Sequence, residues 1–245
     1  MSIKEITKSL QEAVSGHSFV KRGNAFFRVI GDGVLQILKF EYERCFEHHS
    51  LSIGLQSMYG EWMPQHFTSG GCIPCHSVMN YVGERTAVRT HIHGGIHYSE
   101  IVSPAEQIHV LTEHCLPVLN EIRTQQQLLN HLLELDIIQG THVIWNDGHK
   151  IAPSLACGDM DTAEHVVQAI LDQHQDALLA SKRYLKPEQY MDKCRRLEEE
   201  DQIFKEIRAN IQANDTAWIQ DYLRKNYEAN CNYARFCMKN KNANP

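Results

Sequence analysis

The residues with the clearest chemical potential are the two cysteines and the histidine of the stretch CIPCH, residues 72–76. A C-x-x-C-H string can attach haem covalently, because its thiols add to the haem vinyl groups and its histidine ligates the iron. Two cysteines at this spacing can instead supply half of a tetrahedral zinc site or form a thiol–disulfide redox pair. The string therefore allows three kinds of site, and a loop without chemistry is the fourth interpretation.

Zinc is the cofactor that the surrounding residues fit best. A structural zinc site needs four converging ligands, and the chain contains a single C-x-x-C pair, so histidines must supply the rest. His76 directly follows Cys75 and fits poorly into the same tetrahedron, whereas His97 is an alternative ligand from further along the chain. The predicted zinc ligands are Cys72, Cys75, His91 and His93. Our first expectation is a protein without a cofactor, and zinc is the alternative.

The N-terminal sequence argues against haem. Residues 1–19 carry charges every few positions and lack the apolar core of a secretion signal, so we expect a cytoplasmic protein, whereas covalent haem attachment is an export-side event. No run approaches the roughly 18 apolar residues of a membrane-spanning helix, so no membrane association is expected. In a reducing cytoplasm the eight cysteines should be free thiols. The redox interpretation is weaker as well, because no βαβ unit precedes the cysteine pair.

Three basic residues near the predicted sheet offer a different kind of site. Lys21 and Arg22 precede the Gly23-Asn24 turn, and Arg28 lies on the strand that follows it. Together they could bind an acidic group at one edge of the sheet. The alternative is that they protect an exposed strand edge from pairing with other chains, which is a common use of positive charge.

The charge distribution bears on the class of partner. The formal net charge is −6, and residues 102–245 account for all of it, with fifteen basic and twenty-one acidic side chains. No basic stripe with interleaved aromatic residues occurs, so nucleic acid is not an expected partner. A basic protein is the better expectation, although a charge of this size is also ordinary for a soluble protein.

Hydrophobic periodicity predicts the elements that must position these residues. Apolar residues at helical spacing predict a first helix that ends at Ser15-Gly16, and alternating patterns predict strands over 25–30, 33–43 and 51–58. The turn Gly31-Asp32-Gly33 joins the first two strands. A long loop over 59–83 then carries the CIPCH stretch.

The second half is predicted to be helical. Ser103-Pro104 begins a helix that Pro117 should kink or break, and a leucine-rich helix runs from Thr124 to Gly140. Residues 141–156 are expected to be a connecting excursion with a brief strand over Val143–Trp145. Helices begin again near Asp161, Pro187 and Asp215. The predicted fold class is α+β, with residues 1–140 as an α+β domain and residues 141–245 as a helical C-terminal extension.

Several stretches of the first half, over roughly residues 1–135, resemble a bacterial family known as domain of unknown function 4304. The resemblance rests on residues 19–28, 33–40, 51–55 and 115–119, read as FVKRGNAFFR, GVLQILKF, LSIGL and CLPVL. It implies an N-terminal helix, an antiparallel sheet and C-terminal helices, and it transfers no catalytic residues. After Gly83-Glu84-Arg85 the chain departs from the family pattern with a histidine-rich run.

These observations favour a protein that binds rather than catalyses. The strings H-E-x-x-H, G-x-S-x-G, G-x-G-x-x-G and the P-loop are all absent from the sequence. We expect a cytosolic bacterial protein-binding module, for example an immunity protein that neutralises a toxin. The alternative is a zinc-containing enzyme or sensor centred on residues 72–97.

Overall fold

The computed structural model describes residues 3–23, 25–43, 48–61, 75–77, 90–92, 95–97, 103–139 and 148–239. In chain order the elements are α1 (Ile3–Ala13), β1 (Val20–Arg22), β2 (Ala25–Ile30), β3 (Val34–Glu43), β4 (His48–Ser57), β5 (Cys75–Ser77), β6 (Thr90–Ile92), β7 (Gly95–His97), α2 (Pro104–Val110), a π-helical turn (Leu111–Cys115), α3 (Leu116–Glu121), α4 (Gln125–Gln139), α5 (Gly148–Cys157), α6 (Met160–Ser181), α7 (Pro187–Gln212) and α8 (Thr216–Lys239). This order confirms the predicted α+β class.

The main sheet is an antiparallel meander in which β1 to β5 lie side by side in chain order, with β6 and β7 forming a separate pair. The predicted turn between β2 and β3 is present, and its two glycines adopt positive φ angles of 51° at Gly31 and 70° at Gly33. The register places Arg28 of β2 directly opposite Gln36 of β3. Strand β1 pairs with β2 at one side of this sheet, which agrees with the edge position predicted for Lys21 and Arg22.

Both faces of the sheet are covered. One face packs against α1 and against α2 to α4, through a core that includes Phe26, Val34, Leu38, Phe40, Leu51, Ile53 and Leu55. On the other face, Leu35, Ile37 and Met58 pack against Tyr227 and Cys231 of α8. The polar residues that alternate with apolar ones along β4 are therefore not left to solvent: Gln56 is only 2% exposed. Alternation in the sequence indicates which side chains are polar, but it does not show that α8, which is distant in the sequence, packs over this face of the sheet.

Helices α5 to α8 share a second core. Ile151 of α5, Val167 of α6, Ile207 of α7 and Ile219 of α8 all belong to it. Helix α6 is capped by Asp159, whose carboxylate accepts hydrogen bonds from the Thr162 backbone N–H at 3.1 Å and from the Thr162 hydroxyl at 2.7 Å. Helices α6 and α7 form an antiparallel hairpin, joined by the turn over residues 182–186.

Helix α5 corrects the expected connecting excursion. Residues 148–157 form a helix although Pro153 lies inside it. Burial of Ile151 and Leu155 in the second core outweighs the unfavourable helix propensity of proline, which is a local preference that tertiary packing overrides. The brief strand predicted over Val143–Trp145 lies outside the described residues.

The helical backbone is not broken at Pro117, where the sequence predicts a kink or a break. The chain continues through Pro117 to Glu121, and residues Leu111–Cys115, which come just before α3, form a wider π-helical turn. Proline lacks a backbone N–H and its ring collides with the carbonyl one turn earlier, so a wider turn at this point relieves the collision while the axis continues.

The described thiols agree with the prediction for single cysteines, since Cys115, Cys157, Cys194 and Cys231 are thiols that are not joined in disulfides. Cys115 is fully buried, and burial raises the pKa of its thiol to about 12. Alkylation requires the thiolate, so we expect iodoacetamide to modify the partly exposed Cys194 in the native protein and Cys115 only after denaturation. Peptide mass spectrometry with and without guanidinium measures both sites, and equal native rates would contradict the described packing.

Candidate functional site

The structure describes half of the predicted zinc ligands. Cys75 lies on β5 with its backbone opposite Gly54, and His91 lies on β6 opposite Ile96 in the separate two-stranded sheet. Cys72 and His93 lie outside the described residues. In the described ranges, no three His, Cys, Asp or Glu residues converge as metal ligands. The zinc site stays a prediction.

The three predicted binding residues occupy different environments. Lys21 and Arg22 lie on β1, where alternation along the strand puts them on opposite faces of the sheet. Lys21 pairs with Phe26, which faces the first core, whereas Arg22 pairs with Ala25 on the other face. Arg28 is buried on the Phe26 face, with 6% of its surface exposed. The strands therefore do not bring all three side chains together into one site. Arg28 forms a separate cluster.

The Arg28 cluster ties β2 and β3 to two neighbouring turns. Arg28 Nε donates a hydrogen bond to Gln36 Oε1 at 2.8 Å, and Arg28 Nη1 donates to the His17 carbonyl at 3.0 Å. Gln36 Nε2 in turn donates to the Leu119 carbonyl at 2.6 Å. The guanidinium also lies 4.4 Å from the ring centroid of Phe19. Sheet, α1 turn and α3 are thus linked through one buried cation.

A separate surface stands out at the end of the α6–α7 hairpin. Six large hydrophobic residues are exposed in the described part of the chain, and four of them lie within thirteen positions of each other. Tyr184 is 84% exposed, Met191 67% and Leu179 59%. We define the hairpin tip as Leu179, Tyr184, Leu185 and Met191 together with the exposed cations Lys182, Arg183 and Lys186. Scattered exposed hydrophobic residues are normal, but a cluster marks an interaction surface.

The hairpin tip is held in a defined conformation. Lys193 Nζ donates to Ser181 Oγ at 2.5 Å, and the Ser181 hydroxyl donates to the Ala177 carbonyl at 2.6 Å. The Leu185 backbone N–H donates to the Ser181 carbonyl at 2.9 Å, which closes the turn. Helix α7 then begins with Pro187 at its first position. The exposed side chains therefore project from a fixed backbone, so a partner would lose little entropy in ordering it.

Charge is segregated along this hairpin. The tip segment KRYLK, residues 182–186, carries three cations and no acid. Helices α6 and α7 on either side of it carry eleven acidic and five basic side chains, so the body of the hairpin is acidic on balance. Helix α6 contains no lysine or arginine. The hairpin tip is therefore positively charged, although the net charge of the chain is negative.

Sequence analysis missed the hairpin tip. Periodicity located the helices on either side, near Asp161 and Pro187, but it does not report which apolar residues lack a packing partner. The available signal was Tyr184-Leu185 inside a turn flanked by cations, where polar residues are usual.

No family model matches the chain, and comparison with curated proteins and with solved structures gives no match. The resemblance to the domain of unknown function 4304 therefore stays a prediction. Within the described ranges, none of the helices combines the length and apolar character needed to cross a membrane.

Proposed function

We propose that this chain is a non-enzymatic protein-binding module that docks a partner through the hairpin tip. The observation that carries the proposal is the exposure of four large hydrophobic residues at one end of the hairpin: Tyr184 and Leu185 in the turn, Leu179 at the end of α6 and Met191 at the beginning of α7. An exposed aromatic ring among aliphatic and cationic side chains is the composition of binding hot spots, where a few anchors supply most of the affinity. Burying these side chains in a partner would recover the free energy that their exposure to water costs.

The partner surface that fits the tip is an apolar pocket with an acidic rim. Lys182, Arg183 and Lys186 surround the apolar residues, so carboxylates on the partner would meet opposite charge. The net charge of −6 for the whole chain favours a basic partner. A basic partner would suit the acidic body of the hairpin, whereas the cationic tip suits an acidic one. An anionic membrane is the less suitable occupant, because a membrane-surface segment presents one long apolar helix face and the tip is a turn.

The test is capture of the partner in cells of the source organism with a photo-reactive amino acid at the exposed position 188, which both variants below leave unchanged. The double substitution Tyr184→Ser/Leu185→Ser should lower partner affinity at least about tenfold, because central anchors each cost about 2 kcal/mol or more. The matched control is Val118→Ser/Leu133→Ser, which removes the two exposed hydrophobic residues that lie away from the tip. It should bind as the wild type does, and both variants should keep the wild-type melting temperature.

The identity of the cross-linked segment decides between occupants. A single protein, cross-linked through an apolar and acidic segment and lost with the tip variant alone, would support the proposal. Equal capture by the tip variant would contradict it. Tip-dependent binding to vesicles containing phosphatidylserine, with no protein cross-link, would identify a membrane surface instead and overturn it as well.

A further inference from the structure

Among the residues that the structure describes, Arg28 is a buried cation without an acidic partner. Among the described residues, its recorded polar contacts are the Gln36 side chain and the His17 carbonyl, both neutral, and its Nη2 atom is buried with no hydrogen-bond partner. A buried guanidinium normally pairs with a carboxylate, because removing an unpaired charge from water is costly. The missing negative charge is the unusual feature of this cluster.

A second arginine increases the positive charge at the same place. Burial, followed by repulsion from Arg123, lowers the pKa of Arg28 to about 10, so Arg28 is still charged at neutral pH. No acidic group contributes to this shift. Arg123 is exposed, and its Nε donates to the Asn120 carbonyl at 2.8 Å. Arg123 therefore adds a second positive charge to the cluster, and an anion bound there would offset both charges.

Two turns bring these donors together. The turn after α1 contributes His17, whose carbonyl binds Arg28 Nη1, and the end of α3 contributes Asn120 and Arg123. Asn120 Nδ2 donates to His17 Nδ1 at 3.5 Å, which places the two turns side by side. Because Nη1 and Nη2 of a guanidinium share one carbon, the unpartnered Nη2 lies next to the His17 turn. His17 and Asn120 are partly exposed and border the cluster, whereas Nη2 itself has no solvent-exposed surface, so a ligand reaches Nη2 by displacing the side chains at this rim.

We propose that Arg28 and Arg123 form a binding site for a phosphate group, presented either as the free ion or as a small phosphomonoester. A phosphate monoester carries a charge of about −1.5 to −2 at neutral pH, which matches two arginines, whereas a carboxylate would compensate only one. Nη2 carries two N–H groups without a recorded partner, and arginine N–H groups bind phosphate oxygens in a bidentate manner. Asn120 adds a neutral donor at the rim.

The alternative is a purely structural Arg28. In that case the hydrogen bonds to Gln36 and His17 are its whole role, and water satisfies Nη2. Phosphate would then bind no better than any monovalent anion at the same ionic strength. Saturable binding and its dependence on Arg123 therefore separate the two explanations, because the Arg123 side chain is exposed and its removal leaves the buried Arg28 contacts in place.

The experiment is isothermal titration calorimetry of the full chain with inorganic phosphate, glycerol phosphate and acetate at matched ionic strength. We expect saturable one-site binding of phosphate that Arg123→Ala weakens by about tenfold or more, since losing a charged hydrogen-bond partner has an effect of this size. Arg28→Gln should abolish it. The matched control is Arg224→Ala, which removes an exposed arginine of α8 and should leave binding unchanged.

Each outcome has one meaning. Tighter binding of glycerol phosphate identifies a phosphomonoester as the ligand, tighter binding of phosphate identifies the free ion, and either result supports the site. Absence of saturable phosphate binding to the wild type overturns the proposal, as does equal binding by Arg123→Ala and Arg224→Ala or an acetate affinity equal to that of phosphate. If circular dichroism shows that Arg28→Gln does not fold, Arg123→Ala alone decides.

Discussion

Gly31→Ala is expected to destabilise the protein by about 4 kcal/mol or more. Gly31 has a φ of 51°, a left-handed conformation that costs other residues about 1–2 kcal/mol. A Cβ atom at this position would also lie 1.9 Å from the Arg123 carbonyl oxygen, so the β2–β3 turn and the α3–α4 connection would have to separate. That movement would break the hydrogen bond from the Asp32 backbone N–H to the Arg123 carbonyl, now 2.6 Å, and the one from the Gln125 amide to the Asp32 carbonyl.

Gly23→Ala provides the matched control. Gly23 has a similar φ of 61°, but a Cβ atom there would meet nothing within 4 Å. Its cost should be the conformational term alone, about 1–2 kcal/mol. Urea unfolding of both variants gives the two losses in the free energy of unfolding. The difference between them measures the effect of the contact between Gly31 and Arg123. Equal losses would show that this turn and the α3–α4 connection are not in contact.

The contrast between these glycines shows what could be predicted from the sequence. Gly31-Asp32-Gly33 between two alternating runs predicts a hairpin by local rules alone, and the hairpin is present. That Gly31 abuts Arg123 depends on residues ninety-two positions apart, for which a single sequence carries no local signal. For the same reason, the alternation along β4 predicts a strand but does not reveal that its second face is buried, since the covering residues Tyr227 and Cys231 are distant in the sequence.

The basic residues show the same limit at the candidate sites. Lys21, Arg22 and Arg28 look alike in the sequence, and a strand-edge position was the natural common interpretation. Arg28 is instead directed into the covered face, where Phe19 and Gln36 pack around it. The hairpin tip is the reverse case, because apolar residues that look like core turn out to be exposed. In both cases the decisive quantity is burial, which is a property of the assembled structure.

The sheet and the helical half are also physically connected, because α8 belongs to both. Ile219 and Leu223 near its beginning lie in the second core, whereas Tyr227 and Cys231 pack on the sheet. Tyr227 stacks on Tyr59 with ring centroids 4.8 Å apart, and the Tyr59 hydroxyl donates to Asp32 at 2.9 Å. A helix that serves two cores should make their unfolding cooperative.

Asn230→Asp is expected to test this connection with a loss of about 3 kcal/mol or more. Asn230 is 1% exposed, and its Nδ2 donates to the carbonyls of Met58 and Gly60, both at 2.7 Å. A carboxylate of the same shape cannot donate, and each buried carbonyl that loses its donor costs roughly 1–3 kcal/mol. The loss should shrink as the pH falls, because protonation of the introduced carboxyl group restores one donor.

The control is Asn232→Asp, the same chemical change at an exposed position two residues further along α8. It should alter the free energy of unfolding by no more than about 0.5 kcal/mol. Hydrogen exchange followed by mass spectrometry over a series of urea concentrations gives the readout, since peptides from β3 and β4 report the sheet and peptides from α6 and α7 report the helical half. If α8 couples the two cores, both signals of Asn230→Asp shift together to lower urea. A shift confined to one signal would show instead that the sheet and the helices unfold independently. The contact between Asn230 and the end of β4 would then contribute little to the coupling between the two cores.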